Sequence, residues 1–260
     1  MNNATKITTS IGDFFLKWSN NLPEDIFLRE AESLKELKKA AKNIIRIPNV
    51  VGAKKIDETP GYLLLEFLKN ANNQASQKIL GEGLATIHLY RNEQFGFYNN
   101  NYCGATLQNN SWNASWIDFF GKQRLWKMIE KIENQQKLNL KQLKAYESLV
   151  VKLPKLIDSE CEVSLIHGDL WSGNYMTTEG GFALIDPACY YANREMEFGI
   201  ITMFGGFSND FWQGYNQVYP LPNDWQERNL LYQLYHILNH YYLFGGGYGI
   251  QAFNVAQKYI

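Results

Sequence analysis

One loop, with the sequence HGDLWSGN at residues 167–174, constrains the fold of this chain more than any other feature. It follows the apolar run 163–166, and a second apolar run, 182–185, comes shortly after it. The stretch EGG at residues 179–181, just ahead of the second run, has the composition of a hairpin turn. The pattern predicts a polar loop held between short buried strands, with a hairpin that brings the chain back to the loop.

Three oxygen-bearing side chains are spaced through this segment in a way that suits phosphoryl transfer. Asp169 is followed five residues later by Asn174 and twelve residues after that by Asp186. Because a phosphoryl group in transfer carries its charge on peripheral oxygens, catalysis depends on positioning and charge neutralisation. Asn174 and Asp186 are predicted magnesium ligands, and Asp169 is predicted to accept a hydrogen bond from the acceptor hydroxyl and take its proton. A single HGD is more typical of a capped turn, but the spacing of all three residues favours the catalytic interpretation.

A candidate lysine–glutamate pair lies near the start of the chain. The apolar stretch 14–18 predicts a strand that carries Lys17, and residues 25–42 have a helical pattern with Glu30 near its start. In kinase-like sites such a lysine reaches the phosphates, and a glutamate on the following helix holds it by an ion pair. A single Lys or Glu on a charged segment is more often only solvated. Their position ahead of the three oxygen-bearing residues favours pairing of Lys17 with Glu30.

These segments together resemble the fructosamine kinases, also called ketosamine-3-kinases, which are relatives of the aminoglycoside phosphotransferases. The likeness runs over residues 4–248, and its most specific features are Trp171 in the loop and the pairs at 190–191, 194–195 and 239–240. The resemblance implies an α+β fold of the protein-kinase-like type. It has a small, sheet-rich N-terminal lobe and a larger, mainly helical C-terminal lobe.

The resemblance also implies an activity. Members of the family phosphorylate the 3-hydroxyl of ketoamines, the adducts of sugars with amines, using ATP and magnesium, and the unstable product then releases the amine. Residue by residue, the family pattern makes Asp169 the catalytic base, Asn174 and Asp186 the metal ligands, and Lys17, held by Glu30, the phosphate clamp. The substrates expected are ketoamine small molecules or glycated proteins.

The two lobes are expected to divide at an adenine-binding hinge. The resemblance implies an N-terminal lobe at residues 1–68 and a C-terminal lobe at residues 69–260, together forming one kinase-like unit. Backbone groups of Glu66, Phe67 and Leu68 would hold the adenine. Helices of the larger lobe are predicted over residues 75–90, 111–137, 140–156, 195–207, 211–218 and 225–243, and simple polar loops over 70–73 and 99–101.

The sequence departs from the family pattern in three places. Asn193 stands where the family has a His, and Glu197 stands where it has an Asp. The family also has a strand and a Gly-containing turn before the segment that matches residues 4–7, and the sequence as given begins with MNN. Without that turn ATP binding should be weaker, since its backbone amides approach the phosphates. A truncation, a misplaced start or a degenerate gene is expected. The glycine run 245–249 is more typical of a loop that ends a helix.

The aromatic residues suggest how a substrate amine is recognised. A ketoamine carries a secondary amine that is largely protonated near neutral pH, and a cation over an indole ring gains roughly 0.5–2 kcal/mol. Trp171 is therefore predicted to form one wall of the substrate pocket, with packing beneath the loop as the alternative. Tyr190 and Tyr191 are weaker candidates for the same pocket. Tyr232 and Tyr235 have helical spacing and are predicted to lie in the core.

The histidines support structural roles better than a metal site. His236 and His240 are four residues apart, which is the spacing of a zinc-binding pair, but no Cys or acidic residue lies in register with them. They are therefore expected to be hydrogen-bonded core or substrate-lining residues. His167 is expected to brace the loop that contains Asp169 through its own hydrogen bonds.

Composition excludes several classes of partner. A formal net charge of -1 gives no electrostatic footprint for nucleic acid or an anionic membrane. Apolar stretches are far shorter than the roughly 20 residues of a membrane span. Cys103, Cys161 and Cys189 are odd in number and widely spaced, which favours reduced thiols in the cytoplasm. The oligomeric state is left open.

Three functions are compatible with the sequence. The first is a kinase for fructosamine or ribulosamine adducts, with the preferred sugar undecided. The second is a kinase for another small hydroxylated molecule, such as an aminoglycoside or an amino alcohol. The third is a catalytically silent protein of the same fold, which the absence of the glycine turn from the given sequence permits.

Overall fold

The computed structural model describes residues 3–71, 76–135 and 137–260. Its N-terminal part is an antiparallel sheet in the order β1-β2-β4-β3 with one helix packed against it. The elements are β1 (Asn3–Thr9), β2 (Gly12–Ser19), α1 (Ile26–Ala40), β3 (Val50–Lys54) and β4 (Gly61–Glu66). Along β4 the buried Leu63 and Leu65 alternate with more exposed residues, as expected for a sheet with one face on the core. The predicted strand with Lys17 and the helix after it are confirmed.

Helices dominate the rest of the described chain. They are α2 (Lys78–His88), α3 (Trp116–Asp118), a π-helical segment (Phe119–Trp126), α4 (Lys127–Asn134), α5 (Leu140–Leu156), α6 (Glu195–Phe204), α7 (Asn209–Val218), α8 (Trp225–Phe244) and α9 (Tyr248–Tyr259). This helical lobe below a small sheet confirms the predicted kinase-like α+β fold. The expected helix at 75–90 begins only at Lys78, and part of the expected loop at 70–73 lies outside the described residues.

Two departures from the predicted helices, a shifted start and an additional helix, have local reasons. The predicted helix at 111–137 begins later, at Trp116, because the Ser115 hydroxyl accepts a hydrogen bond from Asp118 N at 3.2 Å and caps the first turn. The helix α9 was not predicted, although Ala252, Val255 and Ala256 are buried at helical spacing. The three glycines before it are typical of a turn, and they gave no indication of the helix that follows.

Three pairs of short strands complete the larger lobe. They are β5 (Asn101–Cys103) with β6 (Thr106–Gln108), β7 (Ser164–Ile166) with β10 (Tyr190–Ala192), and β8 (Tyr175–Thr178) with β9 (Gly181–Leu184). The strand before the HGDLWSGN loop and the hairpin after it are thus confirmed. The simple loop expected at 99–101 is wrong at its end, because Asn101 opens β5 and is buried. Its amide donates to the Cys189 carbonyl at 2.8 Å, which satisfies the polar group inside the protein.

Aromatic residues fill much of the core between these elements. Tyr232 and Tyr235 are buried, as predicted. Tyr190 and Tyr191 are equally buried, with 0% and 1% exposure, so the weaker expectation that they contact substrate is wrong. Within the described ranges, no helix combines the length and the apolar character that a membrane crossing requires.

Candidate active site

The loop after β7 holds Asp169 and Asn174 together. The Asn174 amide donates to the Asp169 carbonyl oxygen at 2.8 Å and lies 3.4 Å from the Asp169 carboxylate. Gly168 has a φ of 82°, and a Cβ on it would meet the Ala188 carbonyl oxygen at 2.2 Å. Any side chain there would force the loop away from the chain segment after Asp186. The loop conformation therefore requires the glycine of the HGD sequence.

Glu197 of α6 holds this loop in place through hydrogen bonds to its backbone. Its carboxylate, which is fully buried, accepts hydrogen bonds from His167 N and from Gly168 N, the second at 3.0 Å. His167 Nε2 also bonds to the Ile185 carbonyl oxygen at 2.9 Å, so the expected bracing role of His167 is confirmed. Glu197, noted above only as a departure from the family pattern, thus anchors the loop that carries Asp169. Its extra methylene compared with Asp still allows a carboxylate to reach both amides.

We expect Glu197→Ala to destabilise the protein strongly. Two buried amides would lose their acceptor, at a cost of about 1–3 kcal/mol for each. The measurement is the free energy of unfolding in urea together with kcat. The control is Glu179→Ala, which removes a carboxylate that is 72% exposed at the turn between β8 and β9 and should change stability by less than about 0.5 kcal/mol. Equal stabilities of the two variants would contradict the anchoring role.

The lysine–glutamate pair forms as predicted and reaches a third residue. Lys17 Nζ lies 2.7 Å from Glu30 Oε1 and 2.9 Å from Asp186 Oδ1. Burial disfavours the charge of Lys17, but Glu30 and Asp186 outweigh this effect and raise the pKa of its ammonium group above the ordinary value. Burial raises the pKa of Glu30, and the positive charge of Lys17 opposes that shift. The ammonium group is thus held charged at the floor of a cleft, where it suits a phosphate.

Asp186 is placed as a cation ligand should be. Its side chain is 46% exposed, and its backbone has a φ of 55°, a left-handed conformation that is uncommon outside glycine and is enriched at functional sites. Asn174 commits its amide nitrogen to Asp169, so its amide oxygen is the atom that can face a cation. One carboxylate and one amide oxygen are the kind of donors that magnesium takes from proteins, the rest coming from phosphates and water. The donor set therefore fits the predicted metal.

Asp169 has an unusual environment for a carboxyl group. Burial, followed by the negative charges of Glu197 and Asp186, raises its pKa to about 8. A pKa near the working pH is typical of a general base, since the ionised form is both available and basic. A cation held by Asp186 would reduce one of these repulsions and favour the ionised form of Asp169.

The predicted catalytic, metal-binding and phosphate-binding side chains open onto one cavity of about 400 Å³. Its lining includes Lys17, Glu30, Asp169, Trp171, Asn174 and Asp186. Trp171 is 40% exposed and lies on the cavity wall, 6.0 Å between ring centroids from Phe204. Trp171 is therefore not buried beneath the loop, and its contact with substrate stays a prediction.

The three residues predicted to hold adenine lie outside this cavity lining. Glu66 ends β4, and its carboxylate is held by Arg46 and by the Asn49 amide, the latter at 2.7 Å. Phe67 packs below Lys6, whose Nζ lies 4.7 Å from the ring centroid. Leu68 is buried. Their backbone groups follow the last strand of the sheet, and their contact with adenine stays a prediction, as does the lobe boundary at 68.

Sequence reasoning missed the contact that joins the lobes beside the cavity. The Tyr102 hydroxyl donates to Asp25 Oδ1 at 2.6 Å, and Arg29 Nε donates to the other oxygen of Asp25 at 2.7 Å. Tyr102 belongs to β5, whereas Asp25 precedes α1. The expected loop at 99–101 ends just before Tyr102, and nothing in the local pattern indicated a partner in the other lobe.

The paired histidines of α8 do not share a metal-binding face. His240 Nδ1 bonds to the backbone carbonyl of His236 at 2.8 Å, and the His240 ring packs against Phe204 and Tyr248. His236 is buried and lies instead beside Cys103 and Asp169. The sequence interval between these three residues gave no indication of that cluster.

Comparison with known proteins identifies the family. The model of the family described as "Fructosamine kinase" matches residues 1–260. A protein-ribulosamine 3-kinase, chloroplastic, of Oryza sativa subsp. indica is 34% identical over 263 residues, which cover 100% of this chain and 76% of that protein. A crystal structure named as a fructosamine-3-kinase of Haemophilus somnus 129PT has a TM-score of 0.88 at 27% identity and covers 100% of this chain and 88% of its own.

A more distant structure shows how far the fold extends. Aminoglycoside phosphotransferase APH(4)-Ia, a thermostable mutant in ternary complex with AMP-PNP and hygromycin B, has a TM-score of 0.64 at 13% identity and covers 98% of this chain and 93% of its own. At that identity the likeness concerns the fold alone. The match of the family model over the whole chain and the identity to the rice kinase go further, and they show that this chain belongs to the fructosamine kinase family.

Proposed function

We propose that this chain is an ATP-dependent kinase that phosphorylates the 3-hydroxyl of ketoamines and so promotes removal of the sugar from the amine. The observation that carries the proposal is the convergence of Asp169, Asn174, Asp186 and the Lys17–Glu30 pair on one cavity. A carboxyl with a pKa near 8 faces the same space as a charged lysine and two oxygen donors for a cation. Family membership supplies the acceptor class.

Each residue then has a role in the transfer. Lys17 neutralises phosphate charge and is held in place by Glu30, and Asn174 and Asp186 would hold magnesium. When bound, magnesium supplies positive charge to the phosphate oxygens. Asp169 orients the sugar hydroxyl for in-line attack and accepts its proton as the bond to phosphorus forms. Backbone groups of residues 66–68 are proposed to hold the adenine.

The substrate range is proposed to include fructosamine and ribulosamine adducts, both free and attached to proteins. The open cavity beside the exposed Trp171 supports this range, since an adduct on a protein side chain can enter from solvent. The cytoplasm is the proposed location, because Cys103, Cys161 and Cys189 are free thiols.

The test is a comparison of acceptors at fixed ATP and magnesium. We expect ATP consumption with ribulosamine or fructosamine of lysine, with a phosphate on the sugar 3-hydroxyl detected by phosphorus NMR. Free lysine, free sugar and an aminoglycoside serve as controls and should give no product. Phosphorylation of the aminoglycoside alone would identify another small-molecule kinase. The absence of transfer to any acceptor, with ATP bound, would show a silent protein.

Trp171→Ala should raise the KM for ketoamine and leave ATP affinity nearly unchanged. Loss of a cation–π contact of about 0.5–2 kcal/mol corresponds to an increase in KM of about 2-fold to 30-fold. The measurement is steady-state kinetics with each substrate varied in turn. Trp112→Ala is the matched control, because Trp112 is 37% exposed and is not among the residues that line the cavity. An unchanged KM for ketoamine in Trp171→Ala would remove Trp171 from the pocket.

A further inference from the structure

A second cluster of polar side chains lies behind the proposed base. Cys103 at the end of β5, Asp169 in the catalytic loop and His236 in α8 each offer one atom of a kind that binds metals. The sulfur, the carboxylate oxygen and the imidazole nitrogen all lie within 4.8 Å of one another. Cys103 and His236 are 3% and 1% exposed, whereas Asp169 also reaches the cavity. The cluster therefore touches the active site without sharing Asn174 or Asp186.

His236 carries a buried polar atom that the rest of the fold does not explain. Within the part of the chain that the structure describes, its Nδ1 has no hydrogen-bond partner. A buried polar atom without a partner costs about 1–3 kcal/mol, which packing alone does not justify. Burial, followed by the charges of His240 and Arg124, lowers the pKa of His236 to about 3. The ring is thus neutral under physiological conditions, the form in which imidazole binds metal ions.

We propose that Cys103, Asp169 and His236 form a binding site for a thiophilic divalent cation such as Zn²⁺, distinct from the magnesium ligands. A thiolate, an imidazole and a carboxylate are the ligand types that zinc takes, whereas magnesium prefers oxygen donors. Three protein ligands with a fourth position open to the cavity match the coordination of catalytic zinc sites, in which water or a substrate takes the fourth position. With zinc bonds of about 2.0–2.3 Å, tetrahedral ligands stand about 3.3–3.6 Å apart. The three side chains would need to close by about 1 Å.

Charges near the cluster both oppose and favour the binding of a cation. The buried guanidinium group of Arg124 lies over the Tyr190 ring, 3.9 Å from its centroid, and donates to Asn110 Oδ1 at 2.7 Å. Its positive charge opposes cation binding. The Cys103 thiol loses its proton to solvent when the metal–sulfur bond forms, so the cation gains two anionic ligands, Cys103 and Asp169. These two negative charges outnumber the single guanidinium.

Zinc in this site should inhibit the enzyme. A carboxylate that coordinates a metal can no longer accept the proton of the acceptor hydroxyl. The ketoamine should therefore relieve inhibition by competing at Asp169, whereas Mg-ATP, bound through Lys17 and Asp186, should not. This consequence rests on the proposed role of Asp169, but binding of the metal does not.

Cobalt titration of this 260-residue chain tests the site directly. We expect one equivalent of Co²⁺ to produce thiolate-to-cobalt charge-transfer absorption, and one equivalent of Zn²⁺ to remove it. Cys103→Ser should abolish the absorption, and His236→Gln should weaken Co²⁺ binding at least about 10-fold. Cys161→Ser is the matched control, since Cys161 lines another cavity near Asp158 and Glu162, and it should keep the signal.

The outcomes separate this proposal from the proposed function. The metal site would be overturned if the wild type showed no charge-transfer absorption, if Cys103→Ser kept it or if Cys161→Ser lost it. None of these results would affect the kinase assignment. Near-ultraviolet circular dichroism shows whether each variant is folded. If Cys103→Ser does not fold, His236→Gln provides a second test of the site. If one equivalent of zinc binds and turnover does not fall, the predicted inhibition and the role of Asp169 as base are wrong. The metal site itself would still be supported.

Discussion

Replacing Asp169 with alanine should lower kcat by about 10²-fold to 10⁴-fold, the contribution that a general base typically makes. The affinity for ATP should change little, because the proposed phosphate and magnesium contacts belong to Lys17 and Asp186 rather than to Asp169. Turnover is measured with a saturating ketoamine, and ATP affinity is measured separately by calorimetry. A fall in kcat with unchanged ATP binding places the loss in the chemical step.

Two further variants test whether the loss of kcat comes from a change in structure rather than from loss of the base. Asp169→Asn keeps the shape of the side chain and the backbone bond to Asn174 but removes the base, so it should be as slow as Asp169→Ala. Asp158→Ala removes an exposed aspartate of the same lobe and should keep the kcat of the wild type. An active Asp169→Asn would show that a proton acceptor at this position is unnecessary.

Replacing Asp186 should abolish the magnesium dependence of nucleotide binding. Asp186 supplies the carboxylate of the proposed magnesium site, so ATP should bind Asp186→Ala with the same weak affinity whether magnesium is present or absent. Lys17 would keep its contact with Glu30 at 2.7 Å, so part of the phosphate site remains. Calorimetric titrations with ATP, with and without magnesium, give the comparison.

The backbone at Asp186 makes the choice of variant important. At a φ of 55° alanine is strained, whereas asparagine adopts this conformation readily. Asp186→Asn therefore removes the charge without adding backbone strain, and it should show the same loss of magnesium dependence. Normal binding of Mg-ATP by Asp186→Asn would mean that another residue holds the metal.

The parts of the site that were predicted correctly depend on local patterns. The loop with Asp169 and Asn174 lies between an apolar strand and a glycine-containing hairpin, and both elements can be recognised over a few residues. Lys17 and Glu30 lie on a strand and the helix after it, so their order along the chain indicated the pairing. Family resemblance then fixed the fold as a whole.

The parts that were missed depend on contacts between distant segments. Asn101 has the composition of a loop, and its burial in a strand depends on partners elsewhere in the chain. Its amide nitrogen donates to the Cys189 carbonyl, and its amide oxygen accepts from Gln108 and Asn110. Glu197 appeared as a substitution in a helix, and its two amide partners are known only once the catalytic loop is seated on it. Cys103 gave no indication that it approaches Asp169. No local pattern encodes such contacts.

Lys17 contacts Glu30 and Asp186 at the same time, at 2.7 Å and 2.9 Å. In regulated kinases, closing the lysine–glutamate pair is the step that switches activity on, and it is controlled by phosphorylation or by movement of the helix. In this conformation of the chain that step is already complete. An enzyme in this conformation needs no movement of α1 to bring the lysine to its glutamate.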